Sequence, residues 1–257
     1  MSKKPGASIL FVYCQGAFDL IHPKADPPEW AFHTEYPGDA DVYMAHALSV
    51  MKVMHSNNFT HLGFSGGHTQ SIIPGTSEAR SYVEYLSGHN ALPCARESII
   101  LDELALDSLW NVLAGSMAAR LALRDTPIEE ICGYAAWQCK EDRFVLQARE
   151  LGLQEAFRFL GFAPHEQAAA PVLLKQGEEA VVKSMRENGD ILQQSRVWEE
   201  KRRRRNQRPD YDDQVRSLCG RFPRVFRALG NYQRDPRAAR PELQCAFREE
   251  VLMVAES

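Results

Sequence analysis

The chain predicts an α/β protein, a Rossmann-like, doubly wound and mainly parallel five-stranded sheet with a C-terminal helical extension. Three observations lead there. Five short β-rich runs are each separated by a segment of helical spacing, and antiparallel neighbours would not need such crossovers. After Pro171 no further strand pattern recurs and helical segments dominate. Of 257 residues 44% are hydrophobic and 25% charged, the balance of a chain that can bury a core, which excludes disorder as its main state.

The first run, Ile9-Leu-Phe-Val-Tyr-Cys14, is continuously apolar and ends at Gly16, which suits a strand buried on both faces. Val42, Tyr43, His46, Ala47, Val50, Met51, Val53 and Met54 then mark a broad helical stripe, closed by Ser56-Asn57-Asn58. A second strand, His61 to Ser65, runs into Gly66-Gly67, and a helix starts near Ser77-Glu78 and stops at Gly88. Ser98 to Leu101 is the third strand, followed by Asp102-Glu103. Asp107 or Ser108 caps a helix whose stripe is Leu109, Trp110, Leu113, Met117 and Leu121. Ile131 to Trp137 is the fourth strand, Arg143 to Leu151 a helix, and Phe157 to Phe162 the fifth strand.

Residues 1–170 thus form the sheet domain and 171–257 a basic extension packed on it, with helices over Gly177–Asn188, Tyr211–Leu218 and Pro241–Val254. Between Arg196 and Glu250 lie 15 basic and 9 acidic side chains, about +6, so the formal net charge of −4 leaves the rest of the chain near −10. The apolar run at Ser8 is about a third of a membrane span. No apolar stretch with a cleavage site follows the first lysines, so a cytoplasmic location and no membrane partner are expected. The six cysteines and eight histidines form no zinc signature, so reduced thiols and no metal are expected.

In an open parallel sheet ligands bind beyond the carboxyl ends of the strands, which here offer Gln15-Gly16, Ser65-Gly66-Gly67, Asp102-Glu103 and Gln138-Cys139-Lys140. Ser65-Gly66-Gly67 is either a plain turn or a set of backbone donors open to an anion. It is neither a P-loop nor the dinucleotide fingerprint. Glu78 either serves the helix dipole or turns into the cleft, and with Glu103, Ser108 and Asn111 it provides two carboxylates, a hydroxyl and an amide for acid–base work or for holding a ribose or amino-acid group. Lys201 to Arg205 has three readings: a solvated helix face, a nuclear import or nucleic-acid element, or a segment folding back so that Arg204, Arg205 or Arg208, with Asn206, joins Lys140 and Arg143 around an anion. It lacks the interleaved aromatics of a single-strand binding surface, which lowers the nucleic-acid option.

The order Ser65-Gly66-Gly67, Thr76-Ser77-Glu78-Ala79, Glu103 and Asp107-Ser108-Leu-Trp-Asn111 resembles the YdcF/SanA/ElyC family, whose shared domain has no settled function. The likeness is closer to its soluble branch in fungi and protists, through Trp137-Gln-Cys-Lys140-Glu-Asp-Arg143-Phe144, Phe159-Leu-Gly161 and a basic segment beyond. It covers residues 8–165 well and 196–211 loosely. Ser108 stands where the family more often has Thr, and the histidine that bacterial members carry after the fourth strand is absent, as is their membrane anchor. The resemblance implies charged residues in one cleft and, from one member, S-adenosylmethionine as a cofactor. The expected function is binding of a small anionic or nucleotide-like ligand by Gln15, Gly16, Ser65, Gly66, Gly67, Ser108, Asn111, Lys140, Arg143, Arg205 and Asn206. Glu103 or Glu78 would be the base if the protein is a hydrolase or transferase. A non-enzymatic sensor using the same cleft is the alternative.

Overall fold

The computed structural model describes residues 6–24, 29–33, 40–73, 75–162, 172–193 and 196–253. In chain order the strands are β1 (Ala7–Tyr13), β2 (Ala17–His22), β3 (Glu29–His33), β4 (His61–Ser65), β5 (Ile100–Asp102), β6 (Ile128–Ala135) and β7 (Phe157–Gly161). The helices are α1 (Ala40–Asn57), α2 (Glu78–Gly88), α3 (Ser108–Leu123), α4 (Glu141–Glu150), α5 (Val172–Asn188), α6 (Arg196–Arg205), α7 (Tyr211–Arg221), α8 (Pro223–Arg234) and α9 (Pro236–Phe247).

Five strands make one all-parallel sheet in the order β5-β4-β1-β6-β7, a Rossmann-like α/β arrangement. The apolar β1 takes the centre, with Phe11 registered on Gly63 of β4 and Gly133 of β6. Alternate side chains feed two cores, because successive residues of a strand face opposite sides. Ile9, Phe11 and Tyr13 join Ile131 and Phe159 under α3 and α4, whereas Leu10, Val12 and Cys14 join Leu62, Phe64 and Tyr134 under α1 and α2. The glycines opposite Phe11 make room for the rings: a Cβ on Gly63 would lie 2.4 Å from the Phe11 ring, and one on Gly133 2.4 Å from Tyr13. Tyr13 stacks on Phe144 at 4.7 Å, and Phe144 on Phe159 at 5.4 Å.

The extension adds to the first of these cores. Leu218, Val225, Leu229, Tyr232, Leu243, Phe247 and Val251 are buried in one cluster with Ile9 and Phe11.

The structure holds elements that the sequence reading lacks. β2 and β3 pair antiparallel as a separate ribbon; it lies on α2, where Phe18 stacks on Tyr85 at 3.9 Å and Trp30 meets the same ring edge-on at 5.6 Å. α8 is also additional, its apolar Val225, Ala228, Leu229 and Tyr232 at helical spacing. α5 begins at Val172 rather than Gly177. α9 begins at Pro236 rather than Pro241, because Asp235 caps it by accepting from the Ala238 amide at 3.1 Å and Pro236 suits the first turn. The chain then passes through a wider π turn, Arg248–Leu252. The expected end of the last helix, Val254, and the expected boundary at 170/171 lie outside the described residues. No helix among the described residues is long and apolar enough to cross a membrane.

Candidate functional site

Strand order reverses between β1 and β6, and the crevice beyond their carboxyl ends is where such sheets bind ligands. A cleft of about 660 Å³ lies there, within the range of small-molecule sites. Gln15, Gly16, Glu78, Ser108, Asn111, Lys140, Arg143 and Arg205 line it, together with Tyr43, Thr69, Gln70, Glu178, Trp198 and Lys201.

Gly16 leaves β1 at φ 96°, a conformation that favours glycine, and its backbone lies close enough to the Glu78 carboxylate to favour its charged form. Thr69 donates its hydroxyl to the same carboxylate. Burial pushes Glu78 above the usual carboxylate range, against the opposing pull of Arg205. Of the two residues expected to cap α3, Asp107 does so, its Oδ1 accepting from the Trp110 amide at 3.0 Å. This places Ser108 and Asn111 on the first turn, facing the cleft.

Ser65, Gly66 and Gly67 do not cradle a ligand through their main chain as expected. The Gly66 amide donates to Asp102 O at 3.0 Å and the Gly67 amide to Ala105 O at 2.6 Å, while their carbonyls accept from Ala79 and Glu78. Both donors are spent inside the fold. A Cβ on Gly66 would stand 2.8 Å from Cβ of Glu78, and one on Gly67 2.8 Å from Ala105 O, so these glycines allow close packing of the β4–α2 and β5–α3 loops. The Ser65 hydroxyl is fully buried and lies 2.6 Å from Asp102 Oδ2 and 2.9 Å from Asn111 Oδ1. Burial pushes Asp102 up to about 7. Ser65 has one hydroxyl proton for two acceptors, Asp102 Oδ2 and Asn111 Oδ1.

Glu103 stands apart from the cleft. Ser77 donates to its Oε1 at 2.7 Å and Arg80 to both oxygens at 3.1 and 2.9 Å. Burial would raise it, but these donors hold it below the usual range.

Lys140 closes the short turn before α4 and is 9% exposed. Its ammonium makes no hydrogen bond or ion pair among the described residues, and burial, with Arg143 adding to it, pushes it down to about 8. Arg143 pairs with Glu178 at 2.9 Å. The basic run comes back over the sheet through α6: Arg202 donates to Asp107 Oδ2 at 2.8 Å and to Gln193 O at 3.2 Å, and Arg205 to Leu106 O at 2.8 Å. Gln207 then donates its amide to His68 O at 2.8 Å. Lys201 lies over the Trp198 ring at 4.6 Å. Of the other residues named from the run, Arg203 and Arg204 are exposed. Arg208 pairs with Asp210 at 2.6 Å, and Asn206 turns its amide onto the Arg208 backbone rather than into the cleft.

Sequence reasoning missed Arg202, Asp102, Tyr43 and Trp198. The three-residue spacing of Arg202 and Arg205 was the available signal, since it puts both on one helix face. No group of His, Cys, Asp and Glu among the described residues is placed to hold a metal ion.

Fold and site together define a Rossmann-like α/β protein with a cleft at the switch point of its sheet, lined by four cationic side chains and three carboxylates. No protein family, no curated protein and no solved structure matches the chain.

Proposed function

We propose that the chain binds a small anionic or nucleotide-like molecule in this cleft, in line with its resemblance to the YdcF/SanA/ElyC family. The observation that carries the reading is Lys140, a buried cation whose ammonium has no hydrogen bond or ion pair among the described residues and only the more distant charge of Glu178 to offset it. An isolated buried charge is costly, and an anion in the cleft removes that cost. Arg205 and Lys201 line the same space, and Tyr43, Phe144 and Trp198 supply flat apolar surface for a base or sugar. S-adenosylmethionine fits this charge pattern less well, because its sulfonium and ammonium outnumber its one carboxylate. With Arg202 and Arg205 engaged inward, only part of the basic run is left for nucleic acid.

The test is thermal unfolding of the full chain with inorganic phosphate, nucleotides, sugar phosphates and S-adenosylmethionine. Binding at roughly 100 times Kd stabilises by about 2.7 kcal/mol, and Lys140→Met should lose that gain. If no anion raises the melting temperature of the wild type, the reading fails.

A second reading, turnover of the bound molecule by hydrolysis or group transfer, draws on Glu78. It is a buried carboxylate in the cleft with a raised pKa, the condition of a general acid–base group near neutral pH. Glu78→Gln should then keep binding and lose product formation. Ligands returned unchanged by the wild type leave a sensor or binding protein.

A further inference from the structure

We infer that Lys140 is a carbonyl-capturing amine, and that the molecule bound in the cleft is a carbonyl compound carrying a carboxylate or phosphate. The inference rests on the anion-binding reading and names its ligand class.

The chain has eight lysines. Lys24, Lys52, Lys175 and Lys183 are exposed, Lys201 is half-buried against Trp198, and Lys140 is the buried one among the described residues. An ammonium offers three donors, and none of those of Lys140 meets an acceptor among the described residues. A lysine that serves only as a fixed positive charge needs acceptors around it. One desolvated beside other cations instead serves as a nucleophile. Arg143 and, more weakly, Arg205 are those cations here, with the Glu178 carboxylate opposing them, and the two arginines can also meet the anionic end of the ligand. Arg143 keeps a buried Nε without a hydrogen-bond partner among the described residues.

The step balances without an oxidant or reductant. The Nζ lone pair attacks the carbonyl carbon and a carbinolamine forms. The carbonyl oxygen then leaves as water with the two amine protons, and a C=N bond replaces C=O. Glu78 lines the same cleft and holds its proton more tightly than an exposed carboxylate, so it can protonate the departing oxygen.

The experiment treats the full-length chain near pH 7.5 with pyridoxal 5′-phosphate, pyridoxal or pyruvate, traps imines with borohydride, and maps adducts by peptide mass spectrometry. With Lys140 near 8, roughly a quarter of it is unprotonated at that pH, against about one in a thousand for an ordinary lysine. Lys140 should therefore label tens-fold faster than Lys24, Lys52, Lys175 and Lys183. Inorganic phosphate should protect it, and its labelling rate should level off above about pH 8 while the others keep rising. Pyridoxal phosphate labelling faster than pyridoxal assigns a phosphate-bearing ligand; labelling by pyruvate alone assigns a carboxylate-bearing one. Adducts spread over the exposed lysines with none on Lys140 overturn the inference. Thermal shifts with inorganic phosphate on the wild type and on Lys140→Arg separate the two ideas. A phosphate shift with no Lys140 adduct leaves the anion site standing and removes the imine, whereas neither a shift nor an adduct removes both.

Discussion

Two buried ionisable groups, Lys140 and Asp102, make opposite demands on pH. The folded chain holds the Lys140 proton less tightly than the unfolded chain does, because burial and Arg143 lower it to about 8 from 10.5. The associated penalty is full below pH 8 and fades as pH rises toward 10.5. Lys140→Met should therefore exceed the wild type in unfolding free energy by on the order of 3 kcal/mol at pH 7, and the gap should close toward pH 10. Denaturant unfolding of the pair at both pH values checks this. Asp102 runs the other way, since burial raises it from 3.8 to about 7. The folded chain keeps that proton while the unfolded chain loses it, so stability falls from pH 4 to pH 7. Asp102→Asn should gain on the wild type across that interval, by up to on the order of 4 kcal/mol. A gap that does not change with pH would mean that Asp102 is ionised in the fold throughout. Asp102 also shows where residue-level reading ran short. A strand-end Asp-Glu pair is plain in the sequence, but the strand's last side chain turns in to Ser65 and the next one turns out to Arg80. Which of two adjacent carboxylates enters a fold depends on where the strand stops, here at Asp102.

At the scale of elements, α6 is held by charged and polar contacts more than by apolar ones. Arg202 and Asp107 are both largely buried and 2.8 Å apart, and Asp107 also caps α3. Removing one partner of a buried pair leaves the other uncompensated, typically at a cost of about 3–5 kcal/mol. Arg202→Met should release α6 before it affects the sheet: amide hydrogen exchange should accelerate over residues 196–207 while β1 stays protected, and affinity for anions should drop. Equal acceleration in β1 would show that α6 unfolds only with the whole chain. The five sheet strands were legible because each is a short run rich in apolar residues between helical stripes. The β2–β3 ribbon was not, since it buries one side on α2, leaves Leu20 and Ile21 exposed, and is surrounded by prolines that read as loop. α8 carries its apolar residues at helical spacing, but in a stretch whose arginines dominate the pattern. α6 reads as a plain block of charge until Asp107 and Leu106 are seen opposite it.

For the molecule as a whole, one face of the sheet depends on the extension. Val225, Leu243, Phe247 and Val251 are each fully buried in the core that holds Ile9, Phe11 and Ile131. A chain ending at residue 170 would expose that apolar face. It should aggregate or lose its cooperative melting transition, measured by light scattering and thermal unfolding beside the full chain; a soluble, cooperative fragment would show that the sheet is self-sufficient. The split in charge, +6 over residues 196–250 against −10 for the rest of the chain, matches the placement of arginines over an acidic loop, although most of the extension's burial is apolar.

The contacts that close the cleft also carry a consequence for synthesis. Arg202 to Asp107, Arg205 to Leu106 and Tyr211 to Leu104 span 95, 99 and 107 residues of sequence. A ribosome adding about 5–20 residues per second presents every sheet strand several seconds before the wall that completes the pocket. The nascent chain therefore passes through an interval in which Lys140 has been made but its enclosure has not. Ligand present during translation can reward only the finished chain, which makes binding a late checkpoint on a protein whose sheet has already been made.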